Sequence, residues 1–466
     1  PFAMVFSYYI CRFYMSTTAI QNDLQVGTGN RQILKIALPI SLAILVPQIN
    51  LITNNIFLGN YSRESLAAVS LTGVYYLIFA MIGVGFNNGL QTLIARRAGE
   101  NRPDEIGKIF GQGVFISLIV AAAGILITWF IAPLILRNAL HDPQRAEEAI
   151  GFLKIRIWGL PFLYIYQMRN ALLVGTNNSR YLIAGTLAET VVNIVLDALL
   201  IFGNWGFPEM GFNGAAVASI IAEFTGMFVI FLVIQQKGIG QRFQLFGHLK
   251  WNKVYARQIT SISLPLVFQL AISLISWEFF YILIEHHGQL ALAVSAVMRV
   301  AFGIIACVSW AFASTTTAMV SNLMGQGKQE EIIPVMKRII KISTSIAITI
   351  AILINLFPRV FLSIYGQGAD FIEAGIPVLR VVTVAIVLLS FSTVWLNAIT
   401  GTGNSRVTFI IELSVIVLYC LFVYLVLEVF NLPIEYGWMS EWLYWLGLFT
   451  LSYFYMRSGK WKGKKI

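Results

Sequence analysis

From Val114 to Leu136 the chain passes through an unbroken apolar stretch without one charged side chain. As a helix rising about 1.5 Å per residue, a stretch of this length crosses the roughly 30 Å hydrocarbon core of a bilayer. Lipid offers no hydrogen-bond partners, so the backbone there must satisfy itself as a helix or a closed barrel. Similar runs recur along the chain, and they lack the strict alternation of barrel strands. The pattern predicts an all-α polytopic membrane protein. Composition agrees: 58% of the 466 residues are apolar and only 12% are charged, against roughly 25% charged in a soluble domain. An ordinary soluble enzyme is thereby excluded, as is a disordered chain.

Runs between charge and glycine punctuation predict twelve helices, near 33–58, 68–95, 110–136, 150–174, 181–203, 212–235, 259–285, 291–319, 337–364, 374–400, 407–430 and 437–456. Basic residues set the orientation. They gather after the second helix (Arg96, Arg97, Arg102, Lys108), after the sixth (Lys237, Arg242, Lys250, Lys253, Arg257), after the eighth (Lys328, Lys337, Arg338, Lys341) and in the C-terminal tail. Every one of these follows an even-numbered helix, which predicts that both termini are cytoplasmic. The formal charge of +10 is then topology facing anionic headgroups, not a nucleic-acid footprint. Cys11, Cys307 and Cys420 lie far apart in apolar stretches and read as buried thiols.

The chain also carries an internal duplication. Leu38-Pro39 recurs as Leu264-Pro265, Leu66-Ala67 as Leu292-Ala293, Gly99 as Gly325, and Gly175-Thr-Asn-Asn-Ser-Arg180 as Gly401-Thr-Gly-Asn-Ser-Arg406, each pair 226 residues apart. This predicts a six-helix N lobe over 31–235 and a six-helix C lobe over 258–457, joined by a basic cytoplasmic linker over 236–257. Residues 1–30 read as a partly disordered tail, and 458–466 as a basic cytoplasmic tail. Six spans return the chain to the side it left, so the repeats are parallel. They are related by a pseudo-two-fold axis along the membrane normal, as in some secondary transporters. Two such lobes enclose a cleft and can rock in alternating access.

Asn193-Ile-Val-Leu-Asp197-Ala-Leu-Leu-Ile-Phe-Gly203, followed by Gly211-Phe-Asn-Gly214-Ala-Ala-Val-Ala-Ser219, resembles the fifth-to-sixth helix signature of the multidrug and toxic compound extrusion (MATE) transporters. Pro39, Leu66-Ala67-Ala68 and the Gly175–Arg180 turn add to the resemblance, which covers about Arg31 to Arg457. The resemblance implies export of bulky, often cationic, amphipathic drugs or toxic compounds in exchange for protons or sodium ions. It implies a multi-pass protein of the bacterial inner membrane, a monomer without a cofactor and without a nucleic-acid partner. Many members carry an acidic residue in the first helix at a cation site; the matching position here is Asn54.

Acids well inside apolar runs are Glu189, Asp197, Glu223, Glu278 and Glu412. Intramembrane carboxylates are costly and read by default as functional or paired. Asp197 and Asn193, four residues apart, share a helix face with Glu189. Counted along the helices, Asp197 lies about 24 Å from the cytoplasmic entry, Asn54 about 31 Å, and Ser219 about 10 Å below the outer surface. A carboxylate with amide and hydroxyl oxygens suits a dehydrated alkali cation, such as sodium at Asp197 and Asn193, or a proton. The alternative is that Asp197 hydrogen-bonds neighbouring helices. Glu189 and Glu223 are candidate relay members, or partners for Arg169.

Glu278, flanked by Trp277 and Tyr281, is a candidate for holding an organic cation by charge and cation–π attraction, or an ion-pair partner of Arg299. Glu412 and Arg380 lie about a turn inside helix ends, where snorkelling suffices. No phosphate-binding Gly-x-x-x-x-Gly-Lys-Ser/Thr loop is present, which argues against direct ATP use. Two rival functions remain. A lipid-linked oligosaccharide flippase would favour several cleft arginines. An intramembrane lipid-processing enzyme would need clustered carboxylates or histidines at one aqueous face.

Overall fold

The computed structural model describes residues 24–466 apart from Ser62, Leu140, His141, Phe246, His248, Leu249 and Lys465. Within them all regular structure is helical, as apolar surroundings demand of a backbone without closed strands. The long helices are α1 (Asn30–Tyr61), α2 (Arg63–Gly99), α3 (Pro103–Phe130), α4 (Leu160–Gly175), α5 (Leu182–Leu200), α6 (Gly211–Gln236), α7 (Lys253–Glu285), α8 (Gln289–Gly325), α9 (Ile332–Leu356), α10 (Ala369–Gly401), α11 (Ser405–Tyr424) and α12 (Ser440–Arg457). By length and apolarity, 11 spans among the described residues can cross a membrane. The twelfth helix, α12, is 18 residues long and carries Glu441 in its first turn; it packs on α10 and α11.

Local chemistry moved several expected boundaries. The fourth span is broken into Pro143–Arg156 and α4 by a 3₁₀ turn over Ile157–Gly159. Pro161 lacks an N–H and cannot donate to the Ile157 carbonyl, which accepts from Leu160 N–H in the tighter turn instead. The seventh helix starts at Lys253, not near 259, because Asn252 Oδ1 accepts from the backbone N–H groups of Val254 (2.9 Å) and Tyr255 (3.4 Å). The last residues of the expected linker are therefore helical. The eleventh span continues past Tyr424 as a π-helical turn over Leu425–Val429.

Helix packing repeats between the halves. In the N lobe α2 packs on α4, α3 on α4, α5 on α6, α1 on α5 and α4 on α6. In the C lobe α8 packs on α10, α9 on α10, α11 on α12, α7 on α11 and α10 on α12. Contacts between lobes are paired in the same way: α1 meets α8 as α7 meets α2, and α2 meets α8 at the centre. Glycines allow the close approaches. A Cβ on Gly85 would lie 2.9 Å from the Val267 backbone, and one on Gly89 would lie 2.9 Å from Ser263 Cα.

One end of the bundle is tied across the lobes. A Cβ on Gly99 would sit 2.0 Å from the Asn322 carbonyl oxygen, and one on Gly325 would sit 2.3 Å from that of Arg96. The segment before α1 crosses to the C lobe, where Asn322 Nδ2 donates to the Leu24 carbonyl (2.8 Å) and its Oδ1 accepts from Val26 N–H (3.0 Å). The segment after α12 crosses to the N lobe, where Arg96 donates to the Lys464 carbonyl (3.1 Å) and Arg97 to that of Ile466 (2.8 Å). Arg96 also donates to the Thr402 carbonyl at 3.1 Å. Arg96 and Asn322 are repeat mates, 226 residues apart. Residues 1–23 of the expected loose tail lie outside the described residues; Leu24–Val26 are held by these bonds.

Candidate functional site

Every fourth residue of α6 facing α5 is small: Gly214, Ala218, Ala222 and Gly226. This stripe lets the two helices approach closely. A Cβ on Gly214 would lie 2.6 Å from the Leu200 carbonyl oxygen, and one on Gly226 would lie 3.0 Å from Glu189 Cβ. The antiparallel register between those contacts sets Asp197 opposite Ala218 and Asn193 opposite Ala222. The polar face of α5 thus meets side chains that offer it no hydrogen bond.

Helix α1 runs parallel to α5 on its other side. Ser179, just before α5, donates to the Ile36 carbonyl at 3.2 Å. At equal rise per residue this register brings Asn50 level with Asn193 and Asn54 level with Asp197. The consequence is a set of buried oxygens without partners. Asp197 and Asn193 are fully buried. Both Asp197 oxygens, both Asn193 polar atoms and the Oδ1 atoms of Asn50 and Asn54 lack a hydrogen bond among the described residues. Ser219 is half-buried, one residue beyond Ala218 on α6.

Unsatisfied buried polar atoms each cost about 1–3 kcal/mol. A concentration of them on one pair of helix faces is therefore unusual in a native fold. The atoms on offer are almost all oxygens, a donor set that fits a hard cation, and the lone carboxylate fits a proton. Asn50 escaped the sequence reading. Its signal was the i, i+4 spacing of Asn50 and Asn54, which matches that of Asn193 and Asp197.

The other N-lobe acids behave differently from one another. Glu223 is held by Arg156, whose Nη2 and Nη1 donate to its two oxygens at 2.6 and 2.9 Å. Tyr76 O–H adds 3.1 and 3.3 Å contacts to the same carboxylate, and its ring lies 3.8 Å from the Arg156 guanidinium carbon. The expected partner Arg169 instead donates to the Met227 carbonyl and lies 5.3 Å from the Phe231 ring. Arg156 ends the helix Pro143–Arg156, which packs on α6 and so brings it to Glu223. Glu189 makes no hydrogen bond or ion pair among the described residues, and its Oε2 lies 3.0 Å from where a Gly226 Cβ would be.

In the C lobe Glu278 pairs with Arg299 at 3.1 Å. The guanidinium lies 5.2 Å from the Trp277 ring and 4.9 Å from that of Tyr281. The aromatic neighbourhood of Glu278 thus surrounds a cation the protein itself supplies. Glu412 is not snorkelling: it is 2% exposed. It accepts from Ser273 O–H (2.6 Å), from Gln269 Nε2 (3.3 Å) and from Tyr444 O–H. Packing of α7 and α12 against α11 delivers those donors. Glu441 is equally buried and accepts from the indole N–H groups of Trp277 and Trp445, both at 3.0 Å. The sequence reading did not single it out; it lies in the first turn of α12. No group of His, Cys, Asp or Glu among the described residues has the arrangement of a metal centre.

Fold and site together define a class: a helical, multi-pass membrane protein of two repeats, with an aspartate buried without a hydrogen-bond partner in one of them. Comparison with known proteins gives the family. The model of the MatE family matches residues 39–199 and again 265–425, so Pro39 and Pro265 open the two matches. The chain belongs to the MatE family, a family of multidrug efflux transporters. It is 23% identical over 458 residues to a probable multidrug resistance protein NorM of Thermotoga maritima, covering 95% of each chain. A Synechocystis protein of the same description is 30% identical over 207 residues, 44% of each chain. Among solved structures, a MATE protein in complex with MaL6 superposes with a TM-score of 0.85 at 19% identity, over 96% of this chain and 100% of the other. A transporter of the MOP superfamily from Pyrococcus furiosus gives 0.85 at 18% identity, with the same coverage.

Proposed function

We propose that the protein is a secondary active multidrug antiporter. It exports amphipathic, often cationic, compounds in exchange for protons or sodium ions. The two lobes, 31–235 and 258–457, alternate access to a cleft between them, and both described ends of the chain face the cytoplasm of a bacterial inner membrane. The observation that carries this reading is the cluster of partnerless oxygens around Asp197. An ion bound there neutralises a carboxylate that is otherwise alone, so the occupied and empty lobes favour different helix packing. Such a ligand drives a cycle only because it binds the two states with different affinity.

In this scheme Asp197 carries the proton or ion, with Asn193, Asn54 and Asn50 as amide ligands and Ser219 as a hydroxyl ligand. Glu189, unpaired on the same face, receives the proton on its way, and Glu223, neutralised by Arg156, ties the helix Pro143–Arg156 to α6 beside it. Glu278, Trp277 and Tyr281 bind the organic cation once Arg299 is displaced. Arg156, Arg169 and Arg299 are engaged with Glu223, a backbone carbonyl and Glu278, which weighs against an oligosaccharide-pyrophosphate flippase. The test is dye efflux from proteoliposomes under a proton gradient alone and a sodium gradient alone. Efflux driven by at least one of them supports antiport. Efflux under neither, with dye equilibrating passively, overturns it.

A further inference from the structure

We propose that the outer groove between α7 and α11 is a binding site for an anionic phospholipid. A cavity of about 730 Å³ opens there. At one end stand Lys253 and Arg257 in the first turns of α7, and Arg406 in the first turn of α11. None of the lining residues is acidic. The three cations make no ion pair and no side-chain hydrogen bond among the described residues, although at least thirteen other lysine and arginine side chains do. Farther along, the wall becomes aromatic: Phe268 is 56% exposed and lies 6.4 Å from the Phe409 ring. Lys253 and Phe268 are about 22 Å apart along the helix.

A ligand matching this groove has negative charge at one end and a long apolar body. A free anion leaves the aromatic wall bare, and a zwitterionic headgroup brings an ammonium to a site already carrying three cations. The lysine and arginine bias assigns this helix end to the cytoplasmic leaflet, where anionic headgroups attract basic clusters. The repeat sharpens the assignment. Arg406 and Arg257 have mates at Arg180 and Arg31, 226 residues earlier. Arg180 is already engaged, donating to Tyr181 O–H at 2.6 Å and lying 4.7 Å from its ring.

The groove also touches the junction between the lobes. Trp251, part of its lining, packs 5.3 Å from the Phe115 ring of α3. On α3, Gln112 donates to the Lys250 carbonyl at 2.7 Å and accepts from Asn252 N–H at 3.0 Å. A lipid seated there braces the linker against both lobes, so its binding raises resistance to unfolding.

The test is thermal denaturation of the full chain in detergent, titrated with dioleoylphosphatidylglycerol, dioleoylphosphatidylcholine or inorganic phosphate. The expected result is saturable stabilisation by phosphatidylglycerol only. Arg257→Gln/Arg406→Gln should raise the half-saturating concentration at least ~10-fold, the weight of losing both headgroup charges. Lys328→Gln, an exposed cation outside the groove, should leave it unchanged. Both arginines are exposed, so the variant's unliganded melting temperature should match wild type; if it does not, Phe268→Ala serves as the second probe and should weaken the lipid effect. Equal stabilisation by phosphatidylcholine, an equal effect of phosphate alone, or an unchanged midpoint in these variants would overturn the proposal.

Discussion

The two lobes share one fold and give opposite chemistry to the same positions. Shifted by 226 residues, Asn54, Asn193, Asp197 and Ser219 of the N lobe become Phe280, Tyr419, Val423 and Trp445 of the C lobe. Where the N lobe leaves carboxylate and amide oxygens unpartnered, the C lobe packs rings: Phe280 lies 6.3 Å from Tyr419 and 5.3 Å from Trp438, edge to face, and the one unpartnered oxygen among these four C-lobe positions is the neutral hydroxyl of Tyr419. The C lobe does hold acids, Glu412 and Glu441, yet each is surrounded by neutral donors that satisfy it. A satisfied carboxylate gains little from an incoming ion. A partnerless one gains the full value of the bond. On the proposed reading, duplication supplies the frame and divergence at these positions gives ion exchange to one half.

The sharpest way to break this comparison is to give the N lobe its counterpart's residue. Asp197→Val should abolish gradient-driven efflux, to the background of empty vesicles. It should also raise the melting temperature in detergent, because an unpartnered buried polar group costs about 1–3 kcal/mol. A variant that lost stability would show that Asp197 has a partner in the folded protein.

Arg156→Ala should be the most destabilising single change, by about 3–5 kcal/mol, since it strands the buried carboxylate of Glu223. Pairing it with Glu223→Gln should recover much of that loss in denaturation experiments. Glu412→Ala should cost less, about 1–3 kcal/mol, for the donors of Ser273, Gln269 and Tyr444 left unpaired. Its transport rate per folded molecule should stay near wild type. The smallest effect belongs to Glu278→Gln, which should weaken export of cationic dyes a few-fold (about 1 kcal/mol or less, as for a partly exposed pair) and neutral compounds less. Equal losses in both classes would mark the Arg299 pair as purely structural.

Much of this frame was legible in the sequence. The apolar runs dictated helices, and the recurrence of Pro39 at Pro265 and of Gly99 at Gly325 gave the two repeats. Asp197 stood out because a charge in hydrocarbon is rare. What stayed hidden depended on register between helices. Asn50 is an unremarkable polar residue until Ser179 meets Ile36 and brings it level with Asn193. Arg156 was overlooked in favour of Arg169 because only the packing of the helix Pro143–Arg156 on α6 brings it to Glu223. Glu412 read as a helix-end residue by counting along the chain and Glu441 was not singled out, whereas their donors come from α7 and α12. Burial of that kind is a tertiary property that no single run of residues records.

The central claim is that ion exchange belongs to the N lobe and rests on Asp197. Its most direct test compares Asp197→Asn with Glu412→Gln in proteoliposomes, under proton and sodium gradients imposed separately. Both substitutions keep side-chain shape and remove one buried acid. The account predicts that Asp197→Asn binds drug but no longer moves it against its gradient, while Glu412→Gln pumps at close to the wild-type rate. Wild-type pumping by Asp197→Asn, or loss of coupling in Glu412→Gln alone, would contradict it.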